Sequence, residues 1–566
     1  MRKNAYAQTN EAGVMNYDVI AYGSVRRVVK LHDLPKKAKP ASGKSLMDLI
    51  VDFVILDLQP PSIVNSEGFR HLVSNLSPVC EIPLEQTIIQ DFVPKLYDTL
   101  KNSMYNDITA INLTNNMFSL ALEHWESNDR EYISYYINYL LEENFTTKLL
   151  HTFLLDKETT HDTFYHQEMF TIICSSWNIK TSNIKAVILA SDNQALHQVV
   201  VNQDIPVIPC LIRTLSQMCI KAFEMTQIQS VITKCRSIIS QIYNKNNFAI
   251  QVTFADQNQP DDATSTFLSL DNPNVWLSTL NMLEALNAAR SKLSVLLELS
   301  EGVEMQGDTS SHISDDEWYI LEKVLEVFNP IKVTVVTLSE EKPAQASLIL
   351  PLYLQLVNHH LKTYPGDDTI TTQLKTYFVE YLTQKYSSVD SFLQVCTALD
   401  PRVKRLPYIE EQDVFGTIKD ILVNMEPPSS EGTKYYTDVV EQENKKSRLS
   451  GMEFLLGNVS STKSSTKPSP SNHADNIAHE VEQYHRSSPV PLNECPLTWW
   501  KSECNRFPNL YLLAVKYNCV PACTTPCGKT MEMKAQCTYV EKRKLLSQNT
   551  QAVLNHLLFL HHNYTV

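Results

Sequence analysis

The sequence predicts a mostly helical α/β fold, and three observations lead there. Short β-branched or apolar runs separated by polar turns crowd the stretch between Ile108 and Leu155. A helical pattern follows, and then Ala186-Val187-Ile188-Leu189-Ala190, the continuous apolar run that a strand buried on both faces requires. From 216 to 425 apolar residues recur mainly at helical spacing, and only 12 glycines occur in 566 residues. A chain of this length exceeds one ordinary domain, and its 43% hydrophobic content suffices for a sizeable core.

Residues 1–45 read as a disordered basic arm. Arg26, Arg27, Lys30, Lys36, Lys37, Lys39 and Lys44 are opposed there only by Asp33. They suit a nuclear-import signal or phosphate contacts on DNA, and equally a solvated tail. The whole chain carries a net charge of −14, which opposes broad nonspecific binding to a phosphate backbone. No run of eighteen apolar residues occurs and the N-terminus lacks an apolar signal core, so no membrane partner is expected and the protein reads as intracellular.

Residues 46–105 form a helical N-terminal region. Within 106–215, short strands are expected at Ile108–Thr114, Phe118–Glu123, Tyr132–Leu140 and Leu149–Leu155. A helix near Thr163–Trp177 and the buried strand at 186–190 come next. Strands, a helix and a buried strand are the opening of an RNase H-like core. Residues 216–425 read as a helical insertion. Ser314-Asp315-Asp316-Glu317 is a capping box that starts a helix, and Pro330 is expected to bend or end it. Residues 426–490 read as a disordered linker holding a short apolar island at Gly451–Leu456.

The last segment, 491–566, is the most distinctive. Pro496-Leu497-Thr498-Trp499-Trp500 opens it, Arg506-Phe507-Pro508 and Val520-Pro521-Ala522 follow, and Leu557-Leu558-Phe559-Leu560-His561 closes it. Half of the 12 cysteines fall between Cys495 and Cys537, but no paired Cys-x-x-Cys occurs, so free thiols are expected.

These words, in this order, resemble the C-terminal dimerisation region of hAT-superfamily transposases and the BED-finger proteins derived from them. Asp57-Leu58-Gln59-Pro60-Pro61-Ser62, Asn274-Val275-Trp276-Leu277 and Leu399-Asp400-Pro401-Arg402 also resemble phrases of that superfamily, in its order. The resemblance implies an RNase H-like core interrupted by a large helical insertion and completed by the hAT dimerisation segment. It implies self-association, with Trp499, Trp500, Phe507, Leu557, Leu558, Phe559 and Leu560 as the candidate dimerisation residues. The first cysteine is Cys80, so the zinc finger usual near the start of these relatives is expected to be missing.

Transposition in this superfamily needs three carboxylates around two metal ions, which hold the attacking and leaving oxygens. The word "T-D-x-W-T-S" is represented by Leu122-Glu123-His124-Trp125-Glu126-Ser127, with Glu123 one methylene longer than the family aspartate. The word "T-D-N" is represented by Ser191-Asp192-Asn193, which keeps the acid. The word "P-S-E-R" is represented by Pro526-Cys527-Gly528-Lys529, and Gly528 has no ligand to offer. Glu532, one helical turn further, is the residue that would have to substitute. "C-x-x-H" appears as Cys210-Leu211-Ile212-Arg213, with a cation in place of the histidine.

The sequence therefore predicts a catalytically inactive, domesticated hAT transposase without cofactors. The implied role is a nuclear, dimerising, transcription-regulatory protein with DNA as a further partner. The alternatives are an active two-metal transposase or nuclease, and a SUMO-ligase-like regulator.

Overall fold

The computed structural model describes residues 44–564 apart from 79–80, 114–116, 142–143, 157, 247–249, 257–258, 294–311, 342, 411–412, 426–472 and 525–541. The core is a five-stranded sheet in the order β3-β2-β1-β4-β5, an RNase H-like arrangement. Its strands are β1 (Phe118–Ser127), β2 (Arg130–Leu141), β3 (Asn144–Leu155), β4 (Ile184–Ala190) and β5 (Val207–Pro209). β1, β2 and β3 pair antiparallel, whereas β4 runs parallel to β1 and β5 parallel to β4. Asn128 and Asp129, both with positive φ, make the two-residue turn between β1 and β2. β4 is buried along nearly its whole length, as its unbroken apolar run requires.

Ile108–Thr114 is not a strand. Its described part closes the Val93–Leu113 helix, on which Met104, Ile108 and Ile111 repeat at four and three residues and are buried. That helical stripe outweighs the β-branched composition. The capping box forms as expected: Ser314 accepts from the Glu317 N–H, and Glu317 accepts from the Ser314 N–H. Pro330 does not end the helix, which runs from Asp315 to Glu340. Ile331, Val335 and Leu338 are buried beyond it, and that packing outweighs one lost backbone bond.

The insertion packs around aromatic rings. Phe328 stacks on Phe223 with centroids 4.8 Å apart, and meets Phe378 edge-on at 5.3 Å. The insertion also holds a hairpin, β6 (Ile250–Asp256) with β7 (Gln259–Leu268), which the helical periodicity did not reveal.

The expected linker ends in structure. His473–Arg486 is a helix whose Ile477, Val481 and Tyr484, at i, i+4 and i+7, are buried. The Gly451–Leu456 island lies outside the described residues. The Tyr484 hydroxyl donates to the Ala398 carbonyl, and the Trp500 indole donates to that of Leu399. Beside them the buried Asp400 holds Arg402 through both carboxylate oxygens and accepts from Ser347. The phrase Leu399–Arg402 is thus the junction between the insertion and the last segment.

The C-terminal helix, Gln551–Asn563, closes the sheet edge. Asn563 accepts from the Leu149 N–H and donates to the Leu149 carbonyl, while Asn555 accepts from the Thr152 N–H. Helix amides therefore satisfy the backbone of β3, an edge that would otherwise invite another strand. Lys44, the first described residue, reaches Asp52 and the Tyr564 hydroxyl, tying the two ends of the described chain together.

Candidate functional site

Parallel pairing of β1 with β4 brings the candidate acids to one end of the sheet. Glu123 is in register with Ala190, and Asp192 follows two residues later. Each is engaged by a cation from a distant part of the chain.

Glu123 receives two parallel hydrogen bonds from Arg543, each 2.9 Å, and a third from the Tyr136 hydroxyl at 3.2 Å. Arg543 is buried, on the helical turn at 542–546, and its guanidinium lies 4.3 Å from the Trp125 ring centroid. Trp125 stacks in turn on Tyr132 and donates to Ser134. The β1–β2 turn fixes the arginine's helix: Asn128 donates to the Lys544 carbonyl, and the Ser127 and Ser547 hydroxyls meet at 3.1 Å. Burial opposes ionisation of Glu123, but the Arg543 guanidinium outweighs it and holds the carboxyl below its ordinary range.

Asp192 is half-exposed, accepting from Lys385 at 2.6 Å and from Gln217 at 2.7 Å. Here too burial raises the carboxyl, and the Lys385 ammonium more than reverses it. Next to it Asn193 accepts from the Ala195 and Leu196 N–H groups, capping the Gln194–Val201 helix. Arg213 lies on the first turn of the Leu211–Phe223 helix and acts electrostatically on both acids.

Gly528 and Glu532 lie outside the described residues, as do Arg26, Arg27, Lys30, Lys36, Lys37 and Lys39. Among the described residues no cluster of three or more His, Cys, Asp or Glu is arranged to hold a metal ion. Cys519 and Cys523 are buried singly, and burial pushes the Cys519 thiol up to about 12. No helix among the described residues is long and apolar enough to cross a membrane.

Most of the candidate dimerisation side chains face inward. Trp500, Phe507, Leu557, Leu558, Phe559 and Leu560 are buried in the chain's own core. Phe559 packs on Tyr97 at 4.6 Å, and Trp500 on Tyr484 at 5.1 Å. Trp499 is half-buried against Trp500 and Phe507. The apolar words at this end therefore meet the sheet and the insertion, as expected of a segment that completes the core.

Sequence reasoning missed Arg543 and Lys385. The basic run Lys542-Arg543-Lys544 is visible, but nothing in it points to an acid 420 positions away.

Two stretches match known families. Residues 208–327 match the ZBED1 RNase-like helical domain, and residues 480–561 match the hAT family C-terminal dimerisation region. The chain is also 19% identical over 525 residues to human zinc finger BED domain-containing protein 4, covering 90% of this chain and 43% of that relative. This chain is hAT-derived. The chain spans less than half of that relative's length. In this hAT-derived chain the dimerisation match runs from the middle of the His473–Arg486 helix nearly to the end of the C-terminal helix. It includes Arg543 and supports self-association.

Proposed function

We propose that this hAT-derived chain is a catalytically inactive transposase descendant that works in the nucleus as a self-associating interaction and transcription-regulatory protein, with DNA as a partner. The observation that carries this reading is the pairing of Glu123 with Arg543. Two-metal chemistry needs carboxylate oxygens free to meet ions in a demanding octahedral geometry. Here both Glu123 oxygens are taken by a guanidinium that is stacked on Trp125 and held by the turn it docks on. An entering ion would have to displace a buried cation and leave it without a partner. The lysine on Asp192 works in the same direction.

Self-association follows from the dimerisation match. The nuclear and DNA-linked role draws on the relative's being a zinc finger BED domain-containing protein and on the basic residues between Arg26 and Lys39. The test is strand cleavage of labelled duplex DNA by the full chain in magnesium or manganese, alongside sedimentation equilibrium over a range of concentrations. A blank cleavage lane with a concentration-dependent dimer is expected. Cleavage that Asp192→Ala abolishes would overturn the inactive reading. Deletion of 491–566 is not a useful control, because it removes the cover of the β3 edge and with it part of the core.

A further inference from the structure

Next to Asp192 the sheet end opens into a cavity of about 450 Å³, between the Gln194–Val201 helix, the start of the Leu211–Phe223 helix and the end of the Thr369–Tyr386 helix. Its lining is charged in an unusual way for a chain of net charge −14. Arg213, Lys221 and Lys385 all face it, with Asp192 as the one carboxylate on its wall. Asp192 is matched by Lys385. Among the described residues no salt bridge joins Arg213 or Lys221 to an acid, and both are exposed.

The cations are also positioned. Tyr381 lines the same cavity, with the Lys221 ammonium 5.4 Å and the Lys385 ammonium 5.7 Å from its ring centroid. One ring therefore gathers two lysines that repulsion would otherwise separate. The Tyr381 hydroxyl is itself buried and has no hydrogen-bond partner among the described residues. One polar group without a partner stands beside three cations that share the single Asp192 carboxylate on the wall, so this cavity of small-molecule size has an excess of positive charge.

We infer that this cavity binds a phosphate group without any metal ion, with Arg213 and Lys221 as its principal ligands and Lys385 and Tyr381 at its side. The planar guanidinium offers two parallel donors to phosphate oxygens, and the lysine supplies a mobile point charge. The inference rests on the reading that Glu123 and Asp192 no longer serve metal ions. It reverses the electrostatic sense of the site, from one that would gather cations to one that gathers an anion.

The experiment is isothermal titration of the full chain with inorganic pyrophosphate in EDTA, at low salt. One saturable site per chain is expected. Arg213→Glu with Lys221→Glu should weaken it at least about tenfold, the loss that follows from removing charge-assisted hydrogen bonds. Lys419→Glu, an exposed lysine on another helix, should leave it unchanged. Thermal melting reports whether the double variant folds, and Arg213→Ala alone is the milder form. A short single-stranded oligonucleotide that displaces pyrophosphate assigns the phosphate to a nucleic acid; one that does not assigns it to a free phosphate compound. No saturable binding in EDTA, or equal loss in Lys419→Glu, overturns the inference. Binding that appears only when magnesium is restored contradicts the ion-free reading of the acids as well, and so separates the two failures.

Discussion

Arg543 grips Glu123 with two parallel hydrogen bonds of 2.9 Å across 420 residues of sequence. The pair links the central strand of the sheet to the turn that leads into the C-terminal helix. It does so at the place where a nuclease of this shape would hold metal. A residue in the chain's last tenth thus has a structural role and, under the proposed function, a blocking one.

Removing the arginine should be costly. Arg543→Ala leaves a largely buried carboxylate without its cation, and a loss of about 3–5 kcal/mol in urea unfolding is expected. Glu123→Leu with Arg543→Leu should recover much of it, because neither charge is then stranded. The pair also fixes a pH dependence. The Glu123 carboxyl titrates lower in the folded than in the unfolded chain, so its contribution is complete above the ordinary value of 4.5 and is lost as pH falls through the folded value. Melting curves at pH 3 to 5 should show an acid-side decline that flattens in Glu123→Gln.

Lys404 places a second rise of stability with pH in the neutral to alkaline range. It is buried, donates to the Tyr484 carbonyl and the Ser487 hydroxyl, and lies 4.0 Å from the Tyr484 ring. Burial, with smaller repulsion from Arg405 and Arg506, lowers its ammonium from 10.5 to about 7. Between those values the unfolded chain binds a proton that the folded chain does not, so stability rises with pH from about 7 to 10.5. Comparing melting at pH 7 and pH 9.5, Lys404→Met should lose most of that rise.

The C-terminal apolar words should act on the monomer. Phe559→Ala or Trp500→Ala is expected to cost about 3–5 kcal/mol of unfolding free energy, as truncation of a buried aromatic does. Chemical unfolding at two protein concentrations separates this from a pure interface effect. A core residue shifts both midpoints alike, whereas an interface residue mainly changes their separation.

The sheet edge offers a subtler test. Asn563→Ala strands both backbone groups of Leu149, and a loss of about 1–3 kcal/mol is expected, with increased aggregation read by light scattering.

Much of this fold was legible in the sequence because its signals are local. The unbroken apolar run at 186–190 could only be a buried strand, and the Ser314 capping box marked its helix start correctly. The misreadings came where local cues competed. Ile108 and Ile111 are β-branched but lie on a helical stripe, and of the two outcomes expected at Pro330, a bend or an end, the end does not occur because packing continues beyond it. The short stripe Ile477, Val481, Tyr484 was hidden in polar surroundings. The site was half legible. Glu123 and Asp192 could be named from their words, but the partners that neutralise them could not. Arg543 and Lys385 come from segments whose sequence carries no trace of the strand ends they meet. That the C-terminal segment completes the core was expected from the resemblance, but its particular contacts were not legible: an apolar stripe shows that a helix needs cover, not which surface provides it.

The central claim is that cations of the chain itself now hold the two surviving acids. Its most direct measurement is calorimetric titration of the full chain with manganese, in the wild type and in Asp192→Ala and Glu123→Gln. The account predicts no pair of saturable sites in any of the three. Two ions bound per wild-type chain, with loss of that binding in both variants, would contradict it.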